Sequence, residues 1–431
     1  MTSRMITIFN YLLVFNVFGG AFTMFRQPFE FNLGYLFIIF FLIAYIWRYR
    51  SLCVNSSFII LLIILTILSL INVYFGNNTV FLLAKQVSGI LITGVAYYLL
   101  VKINNYDINK LFKIYLQIAL IVAAIGVFQE LSFLVGFRMG YDYKWVPMMI
   151  KWECGHAGGA LSRLLRINSI FMEPAHFAIS MAPAFFASFL AIIKKSNLFL
   201  KARWANFVII ISYILTFSII AYVAILISLL LFPHPKKKRY LLILAVTIPV
   251  LSFAVYNFIP DIRMRVDDGV KIINQLKMPP DTHESVYSVV SNSFVAFKSF
   301  MANPLFGHGL GSHPVSYDKF IRLGAPYGFW QADRPEVCKG DSGSLFLRLL
   351  SEIGLFGIAI AFYFIFRFRL KMGNNRKLEI ISNGIFILFI LYLLRQAHYF
   401  YNGLFFFVWV YYFAYKIHNK SGSGILAVEK S

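Results

Sequence analysis

Apolar stretches about as long as a bilayer is thick recur along nearly the whole chain, and a lipid interior admits only helices or closed barrels. They lie near residues 5 to 25, 31 to 47, 57 to 75, 79 to 101, 114 to 136, 171 to 193, 240 to 259, 344 to 366, 378 to 394 and 404 to 416. With 59% hydrophobic residues, 47 Phe and only 13% charged residues in 431, the chain reads as a polytopic membrane protein. The first run has one charge ahead of it, Arg4, and no small-residue cleavage site before the next run, so it reads as a membrane helix rather than a removable signal.

The run from 205 to 232 is too long for one crossing and has basic residues at both ends, Lys194, Lys195, Lys201 and Arg203 before it and Lys236, Lys237, Lys238 and Arg239 after it. Two short helices folded back near Thr216-Phe217-Ser218 keep both basic loops on the cytoplasmic side. The expected fold is therefore all-α: a transmembrane helical bundle of about twelve segments, including this hairpin, in a single integral membrane domain over residues 1–431. With the N-terminus inside, the +22 net charge is mainly a topology signal, and nucleic-acid binding is not needed to explain it. Two long polar loops, 137 to 170 and 261 to 340, are left outside. The end of the chain, with Ser421-Gly-Ser-Gly424, reads as a flexible tail over 421–431.

Of the three cysteines, Cys53 falls on a cytoplasmic turn, while Cys154 and Cys338 fall in the two outside loops. Two unrelated thiols is the simpler reading, and an oxidising compartment would allow a disulfide. No cysteine or histidine spacing suits a metal.

Three constellations stand where chemistry can occur. In Arg166-Ile-Asn-Ser-Ile-Phe-Met-Glu173-Pro-Ala-His176-Phe-Ala178, Glu173 and His176 are three residues apart and share a helical face. A juxtamembrane arginine commonly snorkels to headgroups, but three ionisable groups around a membrane-entering proline exceed that need. In Asn303-Pro-Leu-Phe-Gly307-His308-Gly309-Leu-Gly311-Ser-His313, alternate glycines allow backbone N–H groups to approach an anion, although such turns are usually only turns. In Asp341-Ser-Gly-Ser-Leu-Phe-Leu-Arg348-Leu-Leu-Ser-Glu352-Ile-Gly354-Leu-Phe-Gly357, Arg348 and Glu352 are spaced to pair within a span. Lys85 and Glu130 are ionisable groups inside apolar runs, expected to face the bundle interior or a cavity. Arg263, Arg265, Arg322 and Arg334 lie along the large loop, where some subset can converge with Arg166 on a polyanion.

These patterns, in this order, resemble the Wzy-type repeat-unit polymerases of the O-antigen ligase/polymerase superfamily. The likeness rests on the Arg166 to Ala178 run, the Pro304 to Gly311 turn and the Leu345 to Gly357 helix, together with the multi-span layout. It implies a GT-C-like membrane fold in the bacterial inner membrane, with an active site facing the periplasm or exterior. It also implies an undecaprenyl-diphosphate-linked oligosaccharide donor and acceptor, membrane lipid, a chain-length regulator and a flippase as partners, and no cofactor. Two positions depart from the pattern. Ile219 stands where many relatives have an arginine for the diphosphate, and Gly340-Asp341-Ser342 stands where ligases carry a His-Asn pair, which favours a polymerase.

The reaction so implied needs cations at a departing diphosphate and a positioned base for the acceptor hydroxyl. Candidates for the base are Glu173, Asp341, His308 and His313. Candidates for the diphosphate and sugar are Arg166 with Arg263 or Arg265, then Arg322, Arg348 and His176. Direct displacement without a metal would invert the anomeric centre. The alternatives are a ligase that moves glycan onto a lipid A core, and a flippase or transporter of the lipid-linked unit. A transporter would show repeats and discontinuous helices at the membrane midplane, whereas here the polar residues gather in outside loops.

Overall fold

Polar side chains at the ends of the apolar runs set where helices begin. Thr2 accepts from the Met5 N–H, Asn55 from Phe58, Thr79 from Leu82 and Asp107 from Lys110, each satisfying a donor left open in the first turn. In the computed structural model these caps open α1 (Ser3–Phe15), α3 (Ser56–Tyr74), α4 (Val80–Ile103) and α5 (Ile108–Leu134), with α2 (Leu33–Tyr49) between. The structure describes residues 1–25, 30–52, 54–150, 163–195, 199–200, 202–232, 245–246, 249–250, 252–253, 256–321, 326–329, 336–372, 376–400 and 403–422. Cys53, Cys154, Arg322, Arg334, half of the apolar run 240 to 259 and the last residues of the tail fall outside them.

The protein is an all-α polytopic membrane protein. Among the described residues five helices are long and apolar enough to cross a membrane, α3, α4, α5, α7 (Pro174–Ile193) and the greater part of a late helix, Arg376–Arg395. Five shorter apolar helices accompany them: α1, α2, α8 (Arg203–Ile214), α9 (Ile219–Leu231) and Gly354–Arg367. Two expected spans are interrupted. The first run stops being helical at Phe15, where Asn16 turns its amide to the Tyr97 hydroxyl, and Thr23–Phe25 pairs antiparallel with Phe31–Asn32. The run at 344 breaks at Gly354, whose φ of +64° is the left-handed region that glycine tolerates.

Between α8 and α9 the chain turns at Thr216-Phe217-Ser218. Phe199, just before α8, packs on Phe112 near the start of α5, and Phe232, just after α9, packs on Phe189 near the end of α7. The turn itself packs at the other end, where the Ile167 N–H donates to the Leu215 carbonyl. The two ends of the 203–231 segment thus lie at one end of the bundle and its apex at the other. The large loop contributes α10 (Pro260–Gln275), α11 (Glu284–Ala302) and α12 (His313–Ile321).

The core centres on α7, which packs against α5, α8, α9 and the 376–395 helix. Pro183 in the middle of α7 has no N–H to give. There the Tyr115 hydroxyl from α5 donates to the Ser180 carbonyl at 2.7 Å and accepts from the Ala184 N–H at 3.3 Å, so it bridges the backbone groups beside the proline. Gly384 allows the 376–395 helix to approach, since a Cβ there would stand 3.0 Å from Pro183 Cα. Replacing Tyr115 with Phe keeps the ring and removes the bridge. Tyr115→Phe is expected to lower stability by about 1–3 kcal/mol, read as a lower thermal unfolding midpoint in detergent; an unchanged midpoint would show that the bridge is dispensable.

Candidate active site

The segment that leads into α7 is stitched along α5. Gln129 accepts the N–H groups of Asn168 and Ser169, Glu130 accepts that of Leu165, and the Ser169 hydroxyl donates to the Val122 carbonyl. Glu130 therefore satisfies backbone inside the bundle. Lys85, in the second turn of α4, is exposed and within electrostatic reach of Arg348.

This stitching delivers Glu173 as the N-terminal cap residue of α7, with Pro174 in the first turn. The Glu173 carboxylate meets Arg395 at 3.6 Å, at the end of α15 (Arg376–Arg395). Beside this pair the Asp341 carboxylate meets His398 Nε2 at 3.0 Å. Asp341 also accepts the Gly343 N–H at 3.0 Å. Burial acts to raise the Asp341 pKa, but the hydrogen bond and charge of His398, with Arg348 and the Gly343 N–H, outweigh it and hold the carboxyl below the usual range. His176, one helical turn into α7, is half-buried and within electrostatic reach of Glu173, Arg395, His398 and Asp341. Glu173, His176, Asp341, Arg395 and His398 thus form one partly exposed polar mouth.

Behind the mouth, α13 (Leu345–Glu352) holds the buried pair Arg348–Glu352, 2.9 Å apart with side chains 1% and 0% exposed. Arg348 also donates to the Ala397 carbonyl at 3.1 Å and stacks over the Tyr399 ring at 4.6 Å. Glu352 accepts from the Tyr399 hydroxyl at 3.0 Å and the Gly311 N–H at 2.8 Å.

The glycine turn is packing machinery, the plainer of the two uses its sequence allows. The N–H groups of Gly307, His308, Gly309, Leu310 and Gly311 go to Asn303 O, Ser351 O, Glu352 O, Ser69 Oγ and Glu352 Oε2 respectively. Each N–H is already spent on the protein, and a Cβ on Gly307 would lie 2.5 Å from the Glu352 carbonyl carbon. His308 and His313 are buried with it. His308 Nδ1 meets Ser299 Oγ at 2.8 Å, while His313 engages Ser351 Oγ through Nδ1 at 3.2 Å and Asn292 Oδ1 through Nε2 at 3.0 Å. Burial lowers both imidazole pKa values, with Lys319 adding to the effect at His308 and Arg348 at His313, which falls to about 3.

Of the other candidate arginines, the described ones, Arg166, Arg263 and Arg265, lie towards the hairpin apex. Leu164, Leu215, Phe217, Tyr222, Ile259 and Ile262 form a small apolar cluster there, flanked by Arg166 and the first turn of α10. Arg166 is half-buried and within electrostatic reach of Tyr222. Arg263 is exposed, 3.8 Å from Asp267 and over the Tyr256 ring, and Arg265 is half-buried. Cys338 is a free thiol, half-buried, and its pKa is raised by burial and then by Asp341.

Residues 204–362 match the family model described as O-antigen ligase. Over this stretch the chain is similar to the O-antigen ligase family. No curated protein and no solved structure matches the chain. The matched domain holds the hairpin, the glycine turn, Asp341 and the Arg348–Glu352 pair, while Glu173, His176, Arg395 and His398 lie on either side of it. The match supports an O-antigen ligase- or polymerase-type role for the domain. Sequence reading passed over Arg395 and His398. The available signal was a polar island, Arg395-Gln396-Ala397-His398, between two strongly apolar helices.

The buried His313 makes stability depend on pH. Its folded pKa of about 3 lies below the reference value of 6.5, so the unfolded state takes up a proton first as pH falls. The stability it contributes is complete above about 6.5 and is lost progressively towards 3, at up to about 1.4 kcal/mol per pH unit. Thermal unfolding between about pH 7 and about pH 5 should fall more steeply for the wild type than for His313→Gln; equal slopes would contradict this.

Proposed function

We propose that the protein polymerises undecaprenyl-diphosphate-linked oligosaccharide repeat units into a bacterial surface polysaccharide at the outer face of the inner membrane. The observation that carries the reading is the polar mouth of Glu173, His176, Asp341, Arg395 and His398 at one end of an apolar bundle, beside a superfamily domain. A substrate with a lipid tail and a glycan head needs such an arrangement, with apolar surface for the tail and ionisable groups at the headgroup level.

In this proposal the acceptor sugar hydroxyl attacks the anomeric carbon of the donor, whose bond to the diphosphate breaks with inversion and without a metal. Arg166, with Arg263 or Arg265 beyond the hairpin apex, stabilises the charge that develops on the departing diphosphate. Arg322 remains a reserve for that role, and Arg348 is held in its ion pair behind the mouth. The mouth supplies the base, since His308 and His313 are buried and already hydrogen-bonded.

A ligase reading is favoured by one observation, the description of the matched family as O-antigen ligase. Ligase and polymerase share the donor and differ in acceptor. Purified protein in lipid, given one defined undecaprenyl diphosphate repeat unit, should yield a ladder spaced by one unit. Product formed only when lipid A core is added would identify a ligase instead. Arg166→Ala is expected to reach the membrane at wild-type level and yield no product; a normal ladder from it would remove Arg166 from the diphosphate site.

A further inference from the structure

The linker between α15 and α16 (Leu404–Gly422) carries His398, which lies outside the matched domain. Its neighbours on both sides are held by the buried ion pair. The Ala397 carbonyl receives a hydrogen bond from Arg348, and the Tyr399 hydroxyl donates one to Glu352. Arg348 and Glu352 are themselves buried in α13 and fix one another. The backbone that presents His398 is therefore clamped at the residue before it and the residue after it.

The partner of His398 is held as firmly. Asp341 places one carboxylate oxygen on His398 Nε2 and the other on the Gly343 N–H. The imidazole side chain is 37% exposed and the carboxylate 22%, so the ring is the more open of the two. An exposed ion pair between flexible side chains contributes little and needs no clamping of this kind. A carboxylate bound to one imidazole nitrogen sets the tautomer and orientation of the ring and stabilises the imidazolium that forms when the other nitrogen takes a proton. Around this pair, His176 from α7 is within electrostatic reach of His398, Asp341, Glu173 and Arg395, and Arg348 from α13 is within reach of Asp341.

We propose that His398 is the general base of glycosyl transfer and that Asp341 is its positioning residue. The inference rests on the transferase reading given above. In the step, the acceptor oxygen forms its bond to the anomeric carbon while the bond from that carbon to the diphosphate oxygen breaks. The electron pair leaves with the diphosphate, and the hydroxyl proton passes to His398 Nδ1. Release of that proton to water returns the imidazole for the next transfer, so no co-reactant beyond donor and acceptor is required.

The test uses the full chain reconstituted with one defined undecaprenyl diphosphate repeat unit, with and without lipid A core acceptor. The wild type should form product at a rate that rises with pH. His398→Gln should lower kcat by about 100- to 10,000-fold while KM changes little, and added imidazole should restore part of the activity of His398→Ala. Asp341→Asn should reduce kcat while KM changes little, because the imidazole loses the carboxylate that orients it. Wild-type product together with unchanged turnover in His398→Gln overturns the inference and leaves the transferase reading standing. Absence of product from folded wild type with either acceptor overturns both. Should the His398 variants fail to fold, the wild-type profile decides: a rate independent of pH across the imidazole range overturns the assignment.

Discussion

The buried Arg348–Glu352 pair is the interaction on which the arrangement of the outer end depends. Glu352 gathers the Arg348 guanidinium, the Gly311 N–H and the Tyr399 hydroxyl, so one carboxylate joins α13, the glycine turn and the linker between the last two helices. Arg348 adds the Ala397 carbonyl and the Tyr399 ring to the same joint. A buried ion pair of this kind is weak evidence for stability, because desolvation offsets much of the attraction. Its value lies in specificity. The Glu352 carboxylate finds its partners in one arrangement, and the segments bearing them are far apart in sequence.

That joint also explains a division of labour in the loop end. The glycine turn, His308 and His313 form its inner layer, where polar groups are satisfied by the protein and the backbone approaches too closely for any Cβ. Asp341, His398, Glu173 and Arg395 form the outer layer, partly exposed. Arg166 and Arg263 stand apart at the hairpin apex, around a small apolar cluster. In the proposed reaction the mouth serves deprotonation and the hairpin arginines serve the leaving group.

Much of this was legible in the sequence, for reasons that differ by residue. The apolar runs announced helices because a bilayer leaves no other backbone solution, and the Arg348 to Glu352 spacing announced its ion pair because residues four apart share a helical face. The turn at Thr216 to Ser218 followed from basic residues at both ends of one long run. The use of the glycines was not legible. Whether a turn offers its N–H groups to an anion or spends them on neighbours is decided by Ser69, Ser351 and Glu352, which local sequence does not place beside it. Arg395 and His398 escaped notice for a related reason: their partners, Glu173 and Asp341, come from elements that only tertiary packing brings together.

The central claim is that one buried ion pair organises the loop end, and a double-mutant cycle on Arg348 and Glu352 tests it most directly. Unfolding free energies in detergent would be compared for the wild type, Arg348→Met, Glu352→Gln and the double variant. Each single change should cost about 3–5 kcal/mol by leaving its partner buried and unpaired, and the double should cost clearly less than their sum. Additive losses would contradict the account, since they would mean that the two side chains stabilise the protein independently.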